Sequence, residues 1–203
     1  MKRFRLIVIM LVVGAFVLTP VFGCDRSDDA KEWYNKGVHE KDFNKKIEHY
    51  TKAISIDPNY TDAYNNRGTA YWRLKRYDEA IEDYTKAISI DPDYANAYNG
   101  RSFMYYEMKK YDKALEDIKV ALRIEPNNAY TLDSRSNVYR ELGKYSEAMA
   151  DINKAMSIKP DFWFFYYTRG LNYKAMGEKS KALADFTKAC DGGIDDACTE
   201  LKK

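Results

Sequence analysis

The sequence predicts an all-α fold, a solenoid of stacked helical hairpins, and three observations predict it. Pro58, Pro92, Pro126 and Pro160 stand thirty-four residues apart. The nine residues YTKAISIDP occur twice in that register, at 50–58 and 84–92. Small and aromatic residues recur in the same phase: Ala53, Ala87, Ala121, Ala155 and Ala189 in one column, Ala80, Ala114, Ala148 and Ala182 in another, and Tyr71, Tyr105, Tyr139 and Tyr173 in a third. Self-similarity at this period marks a repeat architecture, in which one unit cannot bury its apolar face and neighbours stack to do so. A catalytic site rarely needs saying twice, whereas a packing solution does.

The N-terminal element is an address. Residues 1–23 carry Lys2, Arg3 and Arg5 and no acid, followed by an apolar run from Leu6 to Leu18. That run is short for a membrane-spanning helix, which needs about 20 residues, so a cleaved export signal is the reading. The run ends in VFGC, which resembles the lipobox of bacterial lipoproteins; Val21 and Gly23 fit that pattern, and Phe22 is bulkier than its usual small residue. The resemblance implies cleavage before Cys24 and lipidation of its thiol, hence a membrane anchor facing the periplasm. Asp25 leans toward retention at the inner membrane. An ordinary cleaved signal and a retained helical anchor are the competing readings. Residues 24–29 are then a short tether. The formal net charge is +2, and removing residues 1–23 leaves 30 basic against 31 acidic residues. Such a near-neutral chain has no basic footprint for nucleic acid, and its 15% aromatic content argues against disorder.

From residue 30 onward the chain reads as five repeats, at 30–60, 61–94, 95–128, 129–162 and 163–194, with a capping helix at 195–203. Column by column this resembles the tetratricopeptide repeat (TPR). The resemblance implies a right-handed solenoid in which each repeat is two helices, for example Ala63 to Leu74 and Asp78 to Ile90. Gly68 and Ala80 are small so that the two helices approach closely, while Tyr71, Tyr77 and Tyr84 fill the space around the contact at helical spacings. Ser102, Ser136 and Gly170 share the position of Gly68. Proline then ends the second helix, because it lacks an N–H and restricts the residue before it. The first repeat keeps Trp33 and Gly37, but its Gly37-to-Pro58 stretch is three residues shorter than Gly68-to-Pro92, and Lys46 stands where the small alanine belongs. It reads as a shortened N-terminal cap.

Two columns are polar: Arg67, Arg101, Arg135 and Arg169, and Asp83, Asp117, Asp151 and Asp185. On the family's geometry the arginine leans on the preceding repeat, predicting pairs Arg101–Asp83, Arg135–Asp117 and Arg169–Asp151. Pairing inside one repeat, Arg67 with Asp83, is the competing register. An anion-binding stripe is the functional alternative.

The fifth repeat lacks its proline; Ile194 takes that phase within KACDGGIDDACTELKK. This ending resembles the paired-cysteine ends of Sel1-like repeats in exported proteins, and the resemblance implies a structural disulfide between Cys190 and Cys198. A metal site is disfavoured because both histidines, His39 and His49, lie in the first repeat, and a redox pair because the spacing is not C-x-x-C.

No phosphate loop, nucleophile motif or clustered metal ligands occur, so no enzyme activity, cofactor or metal is expected. The resemblance places function in a concave groove lined by first helices: Asn65, Thr69 and Trp72; Asn99, Phe103 and Tyr106; Asp133, Asn137 and Arg140; and Phe164, Tyr167, Leu171 and Lys174. Aromatic anchors beside amide donors suit a partner protein or peptide, although the same rings also serve as half-buried interhelix packing. The basic residues with which some family members clamp carboxylates are replaced here by Asn65, Asn99, Asp133 and Tyr167. In DFWFFYY (161–167), Trp163 and Phe164 read as surplus to packing and available to a partner, a second copy or a bilayer surface. The function expected is a non-enzymatic interaction scaffold in the cell envelope; an assembly factor for an envelope machine and a soluble secreted protein are the alternatives.

Overall fold

A computed structural model describes residues 26–202. The export-signal and lipidation readings, Cys24 and Asp25 included, lie outside the described residues. The described chain is eleven helices without a strand: α1 (Arg26–His39), α2 (Phe43–Ile56), α3 (Thr61–Arg73), α4 (Tyr77–Ile90), α5 (Ala95–Glu107), α6 (Tyr111–Ile124), α7 (Ala129–Glu141), α8 (Tyr145–Ile158), α9 (Trp163–Ala175), α10 (Lys179–Asp191) and α11 (Asp195–Glu200). The first ten pair in sequence as five hairpins, α11 packs on α10, and α3, α5, α7 and α9 touch in series along one face. Helix α1 begins at Arg26, within the stretch that the sequence assigns to a tether.

Each hairpin closes on a three-residue turn whose second residue is left-handed from the second repeat on: Lys75 (φ 60°), Lys109 (φ 57°), Gly143 (φ 70°) and Gly177 (φ 79°). In each, the next N–H returns to a carbonyl five residues back, as in Arg76 N to Tyr71 O at 3.0 Å, which satisfies a carbonyl that the helix end leaves open. The second helices end instead at Asp57 and Asp91, whose carboxylates accept from the amides of Asn59 and Asp93 at 2.9 and 3.0 Å.

The small columns are the core. Ala53, Ala87, Ala121, Ala155 and Ala189 are fully buried, as are Ala80, Ala114 and Ala148. Opposing positions on the two helices of a hairpin match in size. A Cβ added at Gly37, Gly68 or Gly170 would sit 2.5, 3.1 or 2.6 Å from the ring of Tyr50, Tyr84 or Phe186. Where serine replaces glycine, at Ser102 and Ser136, the facing residue is Ile118 or Ile152 instead of a ring. Ser136 then donates to Ala148 O at 2.8 Å. The tight hairpin contact thus comes in two versions, glycine under a ring and serine beside isoleucine.

This contact corrects the predicted ion-pair register. The pairs form within each repeat: Arg67–Asp83, Arg101–Asp117, Arg135–Asp151 and Arg169–Asp185. All are two-pronged, with Nε and Nη2 each donating to a carboxylate oxygen at 2.6–2.8 Å. The Gly68–Tyr84 contact fixes how α3 lies on α4, so their preceding neighbours, Arg67 and Asp83, are brought opposite one another. The expected lean toward the preceding repeat survives in the remaining arm: Arg67 and Arg101 Nη1 donate to Thr51 and Thr85 Oγ1 at 3.0 Å, and Arg169 Nη1 to Asn153 Oδ1 at 3.4 Å. Asp83 faces its own hairpin and Thr85, two residues on, faces the next. Hydrogen bonding to the carboxylate outweighs desolvation at Arg101, Arg135 and Arg169 and raises their pKa values further, so these guanidiniums stay charged.

In the first repeat the three missing residues come from the end of α1, which stops two residues after Gly37, whereas α3 continues five beyond Gly68. Lys46 occupies the room that this opens. Its ammonium donates to Gly37 O and Val38 O at 2.9 and 3.1 Å, capping the shortened helix. At the far end Cys190 and Cys198 form a disulfide with Cα atoms 4.8 Å apart, holding α11 onto α10.

Candidate functional site

The first helices place the predicted groove residues in three neighbourhoods. In the first, Asn65, Thr69 and Trp72 of α3 and Asn99 and Phe103 of α5 surround a cavity of about 300 Å³. Trp72 meets Phe103 edge-on with centroids 5.2 Å apart, and Phe103 leans on Tyr106 at 6.0 Å. Both Trp72 and Phe103 also pack on the apolar cluster around Tyr84 and Met104, so these rings serve packing and the cavity wall together. The Thr69 hydroxyl meets that of Tyr84 at 3.1 Å, and burial pushes the Tyr84 phenol up to about 12, which keeps it neutral. Sequence reasoning missed Tyr84, Asn96, Gly100, Met104 and Ser134, which complete the lining. A Cβ at Gly100 would lie 2.6 Å from the Tyr84 ring; a glycine with no counterpart in the other repeats was the available signal.

The second neighbourhood is polar. Asn137 Nδ2 donates to Asp133 O at 3.1 Å, and Arg140 Nη1 donates to Asn137 Oδ1 at 2.6 Å. The other guanidinium arm of Arg140 reaches Tyr106 Oη and Glu141 Oε1, both at 3.3 Å. Only 11% of the Arg140 side chain is exposed, and Asp133 is 8% exposed. Asp133 Oδ1 and Asn99 Oδ1 are buried with no hydrogen-bond partner among the described residues. Burial pushes the Asp133 carboxyl up to about 7, against the opposing pull of the Thr168 hydroxyl and Arg140.

The third neighbourhood belongs to the C-terminal end. Phe164 contacts Tyr167 at 5.7 Å between centroids, and Tyr167 contacts Phe186 at 6.0 Å. Leu171 packs on the same cluster around Phe186. Lys174 is ion-paired with Glu200 of α11, which ties α9 to the cap. Trp163 and Phe164 are 42% and 37% exposed, but Trp163 is not surplus to packing. Its indole lies over Gly192, where a Cβ would come within 2.1 Å of the ring.

Family models decide the identity of the array. The model for the tetratricopeptide repeat matches residues 61–94, and related TPR models match 40–75, 95–128, 129–162 and 165–191. The chain belongs to the tetratricopeptide repeat family. No curated protein matches its sequence. Among solved structures, a thermophilic TPR protein of Thermus thermophilus is 20% identical, with a TM-score of 0.77, over 85% of this chain and 97% of its own. PilF of Pseudomonas aeruginosa is 18% identical, with a TM-score of 0.71, over 83% of this chain and 78% of its own. YrrB, a TPR protein with an unusual peptide-binding site, is 19% identical, with a TM-score of 0.61, over 88% of this chain and 91% of its own. At these identities the likeness is one of fold. In this TPR array no three or more His, Cys, Asp or Glu side chains among the described residues converge on a possible metal position, and no described helix is long and apolar enough to cross a membrane.

Proposed function

We propose that this TPR protein is a non-enzymatic scaffold that holds a segment of a partner protein in its concave groove, and that it does so outside the cytoplasm, anchored by lipid on Cys24. The observation that carries the groove reading is the cavity between α3 and α5, where amides (Asn65, Asn96, Asn99) face the rings of Trp72 and Phe103. Amides satisfy the main chain of an extended segment, and rings cover its side chains. A peptide-binding site in YrrB, which shares the fold, supports the same use of the groove. The export reading draws support from the Cys190–Cys198 disulfide, because such bonds persist in oxidising compartments.

Crosslinking in intact membranes, followed by identification of the captured protein, tests the scaffold. Trp72→Ala/Phe103→Ala abolishes capture while helical circular dichroism is retained; undiminished capture would rule the groove out. Palmitate labelling that disappears in Cys24→Ala establishes the anchor, and labelling that persists refutes it.

A further inference from the structure

Leu183 is the most exposed large apolar side chain among the described residues, at 51%. The same repeat position holds Ile81, Leu115 and Met149 in the three preceding units, and each of those is partly buried against a core cluster. The difference lies in what covers the second helix of the repeat. Helices α4, α6 and α8 pack against α5, α7 and α9, each thirteen residues long. Over α10 that place is taken by α11, which has six residues. Ala197 of α11 joins the cluster of Ala182, Phe186 and Ala189, and the helix stops at Glu200. What it leaves open is a cavity of about 500 Å³, lined by Ala182, Leu183 and Phe186 and rimmed by Lys179 and the ion-paired Lys174 and Glu200.

The internal repeats show what belongs in such a place. Met104 of α5 packs with Ala80 and Tyr84, and Val138 of α7 with Ala114 and Ile118, each of the two 1% exposed. Asn172 of α9 holds the same phase, and its Nδ2 donates to Ser136 Oγ at 2.9 Å. Two observations choose between an apolar and a polar plug at the open end. Gly170 occupies the phase of Ser136 there, so no hydroxyl is offered to an amide. Gly170 under Phe186 also repeats the glycine–ring hairpin of Gly68 and Tyr84, which is the version that Met104 covers.

We propose that the open half of this end docks a short amphipathic helix of a partner protein. The helix lies against the start of α10 and continues the stacking of the repeats. It inserts one long apolar side chain, methionine or leucine, over Ala182 and Phe186 beside Leu183. A helix satisfies its own backbone N–H and C=O groups, which an alanine, a leucine and a ring cannot do for an extended segment. The site shares no lining residue with the cavity between α3 and α5, so it stands independently of the groove.

A displayed library of helical peptides, randomised along one face and panned against the purified protein, tests the proposal. The expected result is a set of enriched peptides that share Met or Leu at one position. Replacing that residue by Ala weakens binding by about tenfold or more, as expected for a buried side chain of this size. Leu183→Glu, at an exposed position, loses these peptides while its circular-dichroism spectrum is retained, and Leu183→Met keeps them. Trp72→Ala/Phe103→Ala binds them unchanged. Enrichment of no peptide that Leu183→Glu loses, or of peptides sharing a polar residue at that position, overturns this inference and leaves the groove reading intact. Sedimentation of the protein alone decides between a partner and a second copy. A constant monomer mass supports the partner helix, and a mass that doubles with concentration unless Leu183→Glu is present overturns it.

Discussion

Lys75 and Lys109 occupy left-handed backbone positions that Gly143 and Gly177 fill in the next two repeats. A side chain there crowds its own carbonyl, at a cost of about 1–2 kcal/mol. Lys75→Gly and Lys109→Gly are therefore expected to raise the thermal midpoint, by about 2–4 °C per kcal/mol gained in a domain of this size; a fall in either would refute the strain. Asp133 gives a pH-dependent counterpart. Its folded pKa, raised by burial to about 7, lies above the unfolded value. The folded state thus binds the extra proton between the two, and stability falls as pH rises through that window, staying low above it. Asp133→Asn is expected to raise the thermal midpoint at pH 8 and to change it little at pH 4. Equal gains at both pH values would show that burial does not shift the group.

At the scale of the helix and its neighbour, repetition made most of the fold legible. Once Pro58, Pro92, Pro126 and Pro160 set the phase, the alanine columns named the core, and every one of those alanines is buried. The ion-pair register was not legible from the columns alone, because a period of thirty-four residues makes Asp83 equally available to Arg67 and Arg101. What decides is the fit of Gly68 under Tyr84, and the alternation of glycine–ring with serine–isoleucine pairs was present in the sequence as its signal. Of the residues that the sequence assigns to the groove, five share a cavity. The Lys174–Glu200 pair was not legible in the columns, because Glu200 lies in a helix outside the repeat phase. The terminal element carries its own expectation. Helix α11 spans only six residues, too few to persist alone, and the Cys190–Cys198 bond closes a separation of eight residues. Closing so short a loop stabilises by about 2–3 kcal/mol on the chain-entropy model. Cys190→Ser/Cys198→Ser is expected to release the amide protons of residues 195–200 to rapid exchange with α3–α6 unaffected; retained protection there would mean that Ala197 and Ile194 hold the cap without the bond.

Along the described helices, the main contacts run between sequence neighbours and between first helices one repeat apart. Stability in such an array is the sum of repeat and nearest-neighbour terms, so equal lesions at different places have unequal consequences. Asp117 and Asp185 make the same two-pronged pair with the arginine of their own hairpin, at 2.8 Å and at 2.7–2.8 Å. Removing one partner of such a pair strands a buried charge and costs about 3–5 kcal/mol. In the last repeat that loss has a neighbour on one side and only α11 on the other. Asp185→Ala is therefore expected to fray α9–α11 first, giving an early urea transition and lost exchange protection confined to that end. Asp117→Ala weakens the middle repeat, on which both halves stack, so protection falls on both sides and the main transition itself moves to lower urea. The coupling between repeats decides between these patterns, because strong interfaces spread a local loss and weak ones confine it. Identical single transitions for the two variants, with protection lost evenly along the chain, would show that the array unfolds as one unit and that its repeats are not separately stable.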